Sequence, residues 1–306
     1  CAQGGEGVAL GIGDDCALLA VPPGEQLAIS TDTLVAGVHF ADPCDPFLLG
    51  QRSLAVAVSD LAAMGATPIA FTLALTLPTV TADWLDAYAR GLNLMAQSCG
   101  VALVGGDTTR GPLSLTMTVF GRVPSGLALT RSGAKPGDLL CVGGELGNAA
   151  GALPLVLGQR TAEPAIADPL LAHYWSPQPQ LGLGMALRGK ATSALDISDG
   201  LLADCGHIAL ASKVGIQVER DRLPLSKALV ALLGQSGAEN AALSGGDDYV
   251  LAFTLPSVEL PQMMADGWPI HVVGRVVAGQ GVVLLDADGQ DITPQTRGYQ
   301  HFRETP

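Results

Sequence analysis

The feature that most constrains this chain is a recurring junction: an apolar run stops, and an aspartate follows beside glycine, serine or threonine. Asp14 and Asp15 follow Gly11-Ile12-Gly13, and Asp32 follows Ser30-Thr31 at the end of an apolar run. Asp60 sits in Val58-Ser59-Asp60-Leu61, and Asp107 closes Val104-Gly105-Gly106. Asp196 and Asp199 bracket Ile197-Ser198, while Asp247 and Asp248 follow Ser244-Gly245-Gly246. Small neighbours let the backbone approach a ligand closely, and α/β proteins place ligand sites where apolar strands end. Any one of these residues alone reads as an ordinary turn or helix-cap aspartate. Taken together, converging carboxylates repel one another unless cations intervene, and hard oxygen donors select Mg²⁺ or Mn²⁺. Mg²⁺ usually binds through one or two carboxylates plus substrate phosphates, so the pattern points to an enzyme that holds a polyphosphate through several metal ions.

Charge supports that reading. Sixteen Lys and Arg against 29 Asp and Glu leave a net charge of −13 over 306 residues, which argues against a nucleic-acid or anionic membrane partner. Apolar residues make up 48% of the chain, ample for a sizeable core. The six cysteines contain no C-x-x-C pair and fit neither a zinc site nor a compact disulfide framework, so reduced thiols in a cytoplasmic protein are expected. The uncharged stretch from Leu61 to Ala82 is interrupted by Gly65, Pro68 and Pro78 and reads as containing a strand, not a membrane span. The chain opens on Cys1, and a trimmed N-terminus is expected ahead of a lipoprotein-type cysteine.

Strand-like and helical runs alternate in a mixed α/β pattern. Helices are expected over Pro46 to Leu61 and over Asp83 to Cys99, the latter with Thr81 as cap and Gly100 as stop. Strands are expected at Phe71 to Leu77, Val101 to Val104 and Leu113 to Val123. The polar, turn-rich segment Thr130 to Asp138 marks a boundary, giving domains 1–133 and 134–306. Beyond it come a strand at Leu139 to Val142, helices at Asn148 to Leu157 and Gly200 to Ser212, and strands at Tyr249 to Phe253, His271 to Val277 and Gly281 to Leu285. The P-loop spacing at Gly184 to Ala191 carries Ala where the motif needs Ser or Thr and lies in a helical pattern, so it reads as coincidence. Gly143-Gly144-Glu145-Leu146-Gly147 reads as a tight turn.

As an ordered set, the turns resemble the thiamine-monophosphate kinase family. The resemblance runs through Gly11 to Asp15, Ser30 to Val35 with Gly37-Val38-His39-Phe40, Ser59 to Ala66, Gly105 to Pro112, Thr130 to Ala134, Asp196 to Leu201 and Leu243 to Tyr249. It extends to the tail Gly298-Tyr299-Gln300-His301-Phe302 and so covers nearly the whole chain. It implies a two-domain fold like that of aminoimidazole-ribonucleotide synthetase, with an N-terminal α/β dimerisation domain and a C-terminal α+β domain. The implied reaction converts ATP and thiamine monophosphate into ADP and thiamine diphosphate, with several Mg²⁺ ions, in a homodimer. Another ATP-using enzyme of the same superfamily, of the aminoimidazole-ribonucleotide or selenophosphate synthetase type, is the alternative.

Position by position, the resemblance implies Asp15, Ser30, Thr31, Asp32, Asp60, Asp107, Asp196 and Asp199 as metal ligands. It places Gly106, Asp107, Arg131 and Ser198 toward ATP, and His39, Asp247 and Tyr299 toward thiamine monophosphate. No protein nucleophile or general base is implied. Two positions depart from the family pattern: Asp247 stands where Glu is common, and Thr296 stands where a Trp is usual, leaving Tyr299 or Trp268 to supply an aromatic platform.

Overall fold

Thr81 and Gly100 bound one helix of this protein for local reasons. The Thr81 hydroxyl accepts a bond from the Trp84 N–H, and Gly100 adopts the left-handed conformation that ends a helix. The computed structural model describes residues 5–295, 298 and 299. Cys1, Thr296 and the tail residues Gln300, His301 and Phe302 lie outside the described residues. The chain divides into two units, 1–128 with 175–181 and 129–174 with 182–306.

The first unit opens with a small hairpin of β1 (Val8–Leu10) and β2 (Leu18–Leu19). Its main sheet contains β3 (Glu25–Val35), β4 (Thr67–Leu77), β5 (Ala102–Arg110) and β6 (Ser114–Pro124) in the order β3-β6-β4-β5, antiparallel except for the parallel β4–β5 pair. Helix α1 (Pro46–Ala63) packs on this sheet and against helix α2 (Ala82–Cys99). Asp45 caps α1 by accepting the Phe47 N–H at 2.8 Å, and Pro46 occupies the first helical position. Nearly every residue of α1 from Leu49 to Ala63 is buried, because sheet and helix cover it on two sides. Helix α2 buries one stripe, Tyr88, Leu92, Met95, Ala96 and Cys99. At the crossing the two backbones almost touch: a Cβ on Gly91 would overlap the Phe47 carbonyl, and one on Gly50 the Tyr88 carbonyl.

The second unit holds a six-stranded sheet ordered β12-β9-β11-β7-β10-β8. Its strands are β7 (Leu139–Val142), β8 (Ser193–Asp196), β9 (Gly215–Glu219), β10 (Leu251–Leu255), β11 (His271–Val277) and β12 (Gly281–Leu285). All pairs are antiparallel except β12 with β9. Between them run α3 (Asn148–Val156), α4 (Pro164–Trp175), α5 (Leu181–Leu187), α6 (Leu201–Ser212), α7 (Lys227–Ser244) and α8 (Leu260–Ala265). Helix α7 breaks at Gly234, whose φ of 72° is non-helical. Helix α6 lies on β8, β9 and β12, and its Leu201, Leu202, Cys205, Ile208 and Ala209 join the main core of the unit. This is the α/β plus α+β pairing expected from the sequence.

Two details differ from that expectation. Strand β3 continues to Val35 and β5 to Arg110, so Asp32 and Asp107 stand within strands and not at their ends. Both are edge strands of the sheet, where β-branched threonines sustain extended backbone and polar side chains reach solvent. Strand β10 begins at Leu251, two residues later than the pattern suggests, because Asp247 and Tyr249 have φ of 71° and 51°. Among the described residues no helix is long and apolar enough to cross a membrane.

The glycine crossing gives a test with an unusual sign. Helix propensity alone would make Gly91→Ala stabilising by roughly 1 kcal/mol. Overpacking against Phe47 reverses this, and a loss of about 1–3 kcal/mol is expected in denaturant unfolding. A stabilised variant would disprove the close approach.

Candidate active site

In the first unit, a cavity of about 440 Å³ opens between the loop after β1 and strand β5. Asp14, Asp15 and Cys16 form one wall, and Gly105, Gly106 and Asp107 form another. Gly106 has φ of 149°, and a Cβ there would overlap the Leu73 carbonyl on β4, so only glycine lets the two strands meet. Among the described residues the lining carries three aspartates and no Lys, Arg or His.

Alternation along β3 sorts the neighbouring candidates. Ser30 and Asp32 share one face of the strand, and Thr31 points to the other. The Ser30 hydroxyl donates to the Asp60 carboxylate on α1, so the structure brings Ser30 and Asp60 together and sets Asp32 on the same face. The Thr31 hydroxyl instead pairs with Thr118 across the sheet at 3.0 Å. His39 closes a tight loop: its Nδ1 accepts the Val35 N–H at 3.0 Å, and its backbone N–H donates to the Val35 carbonyl at 2.9 Å. A neutral ring held this way carries its proton on Nε2, which becomes a donor.

In the second unit, two turns are laced together. The Asp247 N–H donates to the Ser198 carbonyl at 2.9 Å, and the Tyr249 N–H to the Ile197 carbonyl at 2.8 Å. A Cβ on Gly246 would overlap the Ser198 carbonyl, so the strand-end turn at Asp196–Gly200 and the turn at Gly245–Tyr249 lie backbone to backbone. Tyr249 donates its hydroxyl to the Asp247 carboxylate at 3.2 Å. The Tyr299 N–H donates to the Asp199 carbonyl at 3.0 Å, which fixes Tyr299 beside this turn. Trp268, the other aromatic candidate, packs against Gly182 on α5.

The roles of three residues that organise these turns escaped the sequence reading. Asp204 is buried, and its Oδ2 accepts the N–H groups of Ser198, Asp199 and Gly200 at 3.1, 3.0 and 3.1 Å. Burial pushes its carboxyl up to about 6, against the pull of those N–H groups. Asp248 is buried as well, and its Oδ2 accepts the Gly147 N–H at 2.7 Å where α3 begins. Burial is the largest influence on it and pushes its carboxyl up to about 8; bonds from Gly147, Ala149 and Asn148 pull down, while Asp247 pushes further up. Ser212 accepts the N–H groups of Gly133 and Ala134, both at 3.1 Å, and donates to the Arg131 carbonyl at 3.2 Å. An acidic residue in the first turn after Gly200 was a readable signal for Asp204. The parts played by Asp248 and Ser212 had none, since their partners lie far away in sequence.

Among the described residues, no group of three or more His, Cys, Asp and Glu side chains is gathered closely enough to hold a metal ion unaided. Scattered oxygen donors of this kind suit a cation that takes most of its remaining ligands from water and substrate phosphate.

Two domain models match the chain in tandem: AIR synthase related protein, N-terminal domain, over residues 13–123, and AIR synthase related protein, C-terminal domain, over 135–286. Fold and turns thus define an AIR synthase related protein of two domains. The thiamine-monophosphate kinase of Escherichia coli K12 is 46% identical over 302 residues, spanning 96% of this chain and 92% of that protein. The crystal structure of thiamine-monophosphate kinase from Stenotrophomonas maltophilia superposes with a TM-score of 0.86 at 44% identity, covering 93% of this chain and 92% of that one. AaThiL complexed with AMPPCP and TMP superposes with a TM-score of 0.83 at 28% identity, covering 92% and 89%. The chain belongs to the thiamine-monophosphate kinase family.

Asp248 gives the second unit a pH signature. Its folded-state value lies above the ordinary 3.8, so the folded state holds the proton more tightly. Its contribution to stability is then complete below about pH 4 and is lost as pH rises toward 8. Asp248→Asn is neutral throughout and is expected to flatten that decline in denaturant titrations between pH 5 and 8. Parallel profiles for the two proteins would refute it.

Proposed function

We propose that this protein transfers the γ-phosphoryl group of ATP to thiamine monophosphate, giving ADP and thiamine diphosphate in one direct, in-line step. The observation that carries the reading is the cavity of the first unit: among the described residues it presents Asp14, Asp15 and Asp107 and no basic side chain. Such a lining can admit a polyphosphate only with cations between the two. Membership of the kinase family, and a relative complexed with AMPPCP and TMP, support the choice of substrates.

The acceptor is already a phosphate monoester with a second pKa of about 6, mostly dianionic at neutral pH. It needs no general base, and no side chain need become phosphorylated. The donor set fits Mg²⁺, being built of hard carboxylate and hydroxyl oxygens. We assign Asp15, Ser30, Asp32, Asp60 and Asp107 as its donors in the first unit, and Asp196 and Asp199 as donors of the same kind in the second. Thr31 is left out because its hydroxyl is engaged with Thr118 on the other face of the sheet. When bound, Mg²⁺ supplies the positive charge that lets two anionic reactants meet and stabilises the leaving diphosphate.

The chain's own groups bind and orient. Gly106 and Asp107 face the nucleotide, Arg131 offers a bidentate fork to its phosphates, and Ser198 offers a hydroxyl. His39 donates from Nε2 to the acceptor phosphate, and Asp247, steadied by Tyr249, faces the thiamine moiety together with Tyr299. The exposed Leu27 and Ile29, on the face of β3 that carries Thr31, support a homodimer joined through the first unit's sheet. We place the enzyme in the cytoplasm, in keeping with the free cysteines among the described residues.

Purified protein is expected to form thiamine diphosphate from ATP and thiamine monophosphate; no product would sink the assignment. Asp60→Asn or Asp107→Asn should lower kcat on the order of 100-fold or more, the scale of losing one electrostatic stabiliser. Each variant keeps the size of the side chain, and an amide oxygen at position 60 still accepts the Ser30 hydroxyl, so the melting temperature should hold. Near-normal turnover in both variants would remove the metal-ligand assignment.

Asp247→Asn tests the substrate side. Asn tolerates the left-handed backbone and retains the bond from Tyr249, so only charge is lost. The KM for thiamine monophosphate should rise while that for ATP stays put; equal changes in both would exclude Asp247 from the thiamine pocket.

A further inference from the structure

We propose that Asp204 and Ser212, at opposite ends of helix α6, are positioning residues that set the Ser198–Gly200 turn and the Arg131–Ala134 turn at a fixed separation for the nucleotide. The inference rests on the reading above that Arg131 and Ser198 face ATP. It adds the device that places them.

At the start of α6 a single carboxylate oxygen, Oδ2 of Asp204, collects three consecutive N–H groups, those of Ser198, Asp199 and Gly200. At its end a single hydroxyl, that of Ser212, collects the N–H groups of Gly133 and Ala134 and donates to the carbonyl of Arg131. The two clamps are about 12 Å apart along the axis at 1.5 Å per residue. The helix between them cannot shift independently, since its Leu201, Leu202, Cys205, Ile208 and Ala209 belong to the core of the unit. Each turn is also pressed onto a neighbour through a glycine of positive φ: Gly133 against the Thr192 carbonyl and Gly200 against Ser244.

The clamps decide which atoms remain for the ligand. A helix N-terminus ordinarily offers free N–H groups to a phosphate. Here the N–H groups of the turn entering α6 are already taken by Asp204, and those behind Arg131 by Ser212. What the turns can present is therefore their side chains: the Arg131 guanidinium, the Ser198 hydroxyl and the Asp199 carboxylate. Asp204 and Ser212 touch neither reactant; they fix the spacing of the groups that do.

The test compares Ser212→Ala, Ser212→Thr, Arg131→Ala and the Arg131→Ala/Ser212→Ala double variant in the full chain. Readouts are KM and kcat for ATP, Mg·ADP affinity by calorimetry, and melting temperature. Ser212→Ala should raise the KM for ATP and the Kd for Mg·ADP roughly tenfold, with kcat and melting temperature little changed. Ser212→Thr, which keeps the hydroxyl, should restore both, and the double variant should be no worse than Arg131→Ala alone. Asp204→Asn retains an acceptor oxygen and should keep Mg·ADP affinity, whereas Asp204→Ala should lose it. Normal Mg·ADP affinity in Ser212→Ala, or additive losses in the double variant, would overturn the proposal. So would equal impairment in Asp204→Asn and Asp204→Ala, because charge and not the acceptor would then matter. If Asp204→Ala does not fold, the Ser212 series decides. Normal affinity in Arg131→Ala would instead sink the nucleotide-facing role of Arg131, a failure of the underlying reading that the Ser212 comparison keeps separate.

Discussion

Buried carboxylates inside the protein occupy the helix N-termini where a phosphate would otherwise sit. Asp204 takes the N–H groups leading into α6, and Asp248 takes the Gly147 N–H leading into α3. Each carboxyl group is desolvated, which costs free energy unless hydrogen bonds compensate, and backbone donors provide that compensation. In effect the second unit seats a buried carboxyl group at two of its strand-to-helix junctions. Those amides are already bonded, so under the proposed function the charge of the polyphosphate is met there by arginine and by cations.

The first unit solves a related problem with strands. Its edge strands β3 and β5 carry aspartates and threonines along their length, where a central strand would carry continuous apolar residues. The alternation of β3 sends Ser30 and Asp32 toward α1, whose Asp60 meets the Ser30 hydroxyl. Asp60 thereby sits on one of the most deeply packed helices of the unit. Under the proposed function this carboxylate is a metal ligand held with the stiffness of a core, which suits chemistry that depends on position more than on proton transfer.

Much of this was legible in the sequence where local chemistry decides the outcome. Thr81 and Gly100 bracket α2 because a hydroxyl cap and a left-handed stop work within a few residues. Strands β7, β11 and β12 declare themselves as short runs of β-branched and other apolar residues. The candidate aspartates were visible because small neighbours accompany each of them. What stayed hidden depends on contacts between distant segments. Nothing local says that Ser212 reaches back to Arg131, or that Asp248 seats the start of α3. The side on which Thr31 lies follows from the register of β3 with β6, which the sequence does not display. The delayed start of β10 reflects left-handed residues at Asp247 and Tyr249, for which side-chain type is a poor guide.

Gly106 bears on how this enzyme could be redesigned. Backbone meets backbone where β5 passes the Leu73 carbonyl, so that part of the cavity wall has no side chain to exchange. The opposite wall, from Ile12 to Cys16, is a loop of exposed residues with room to change shape. Any change in the shape of this cavity, whether arising by natural drift or imposed by engineering, falls to that second wall, while the first behaves as a fixed template inherited with the fold.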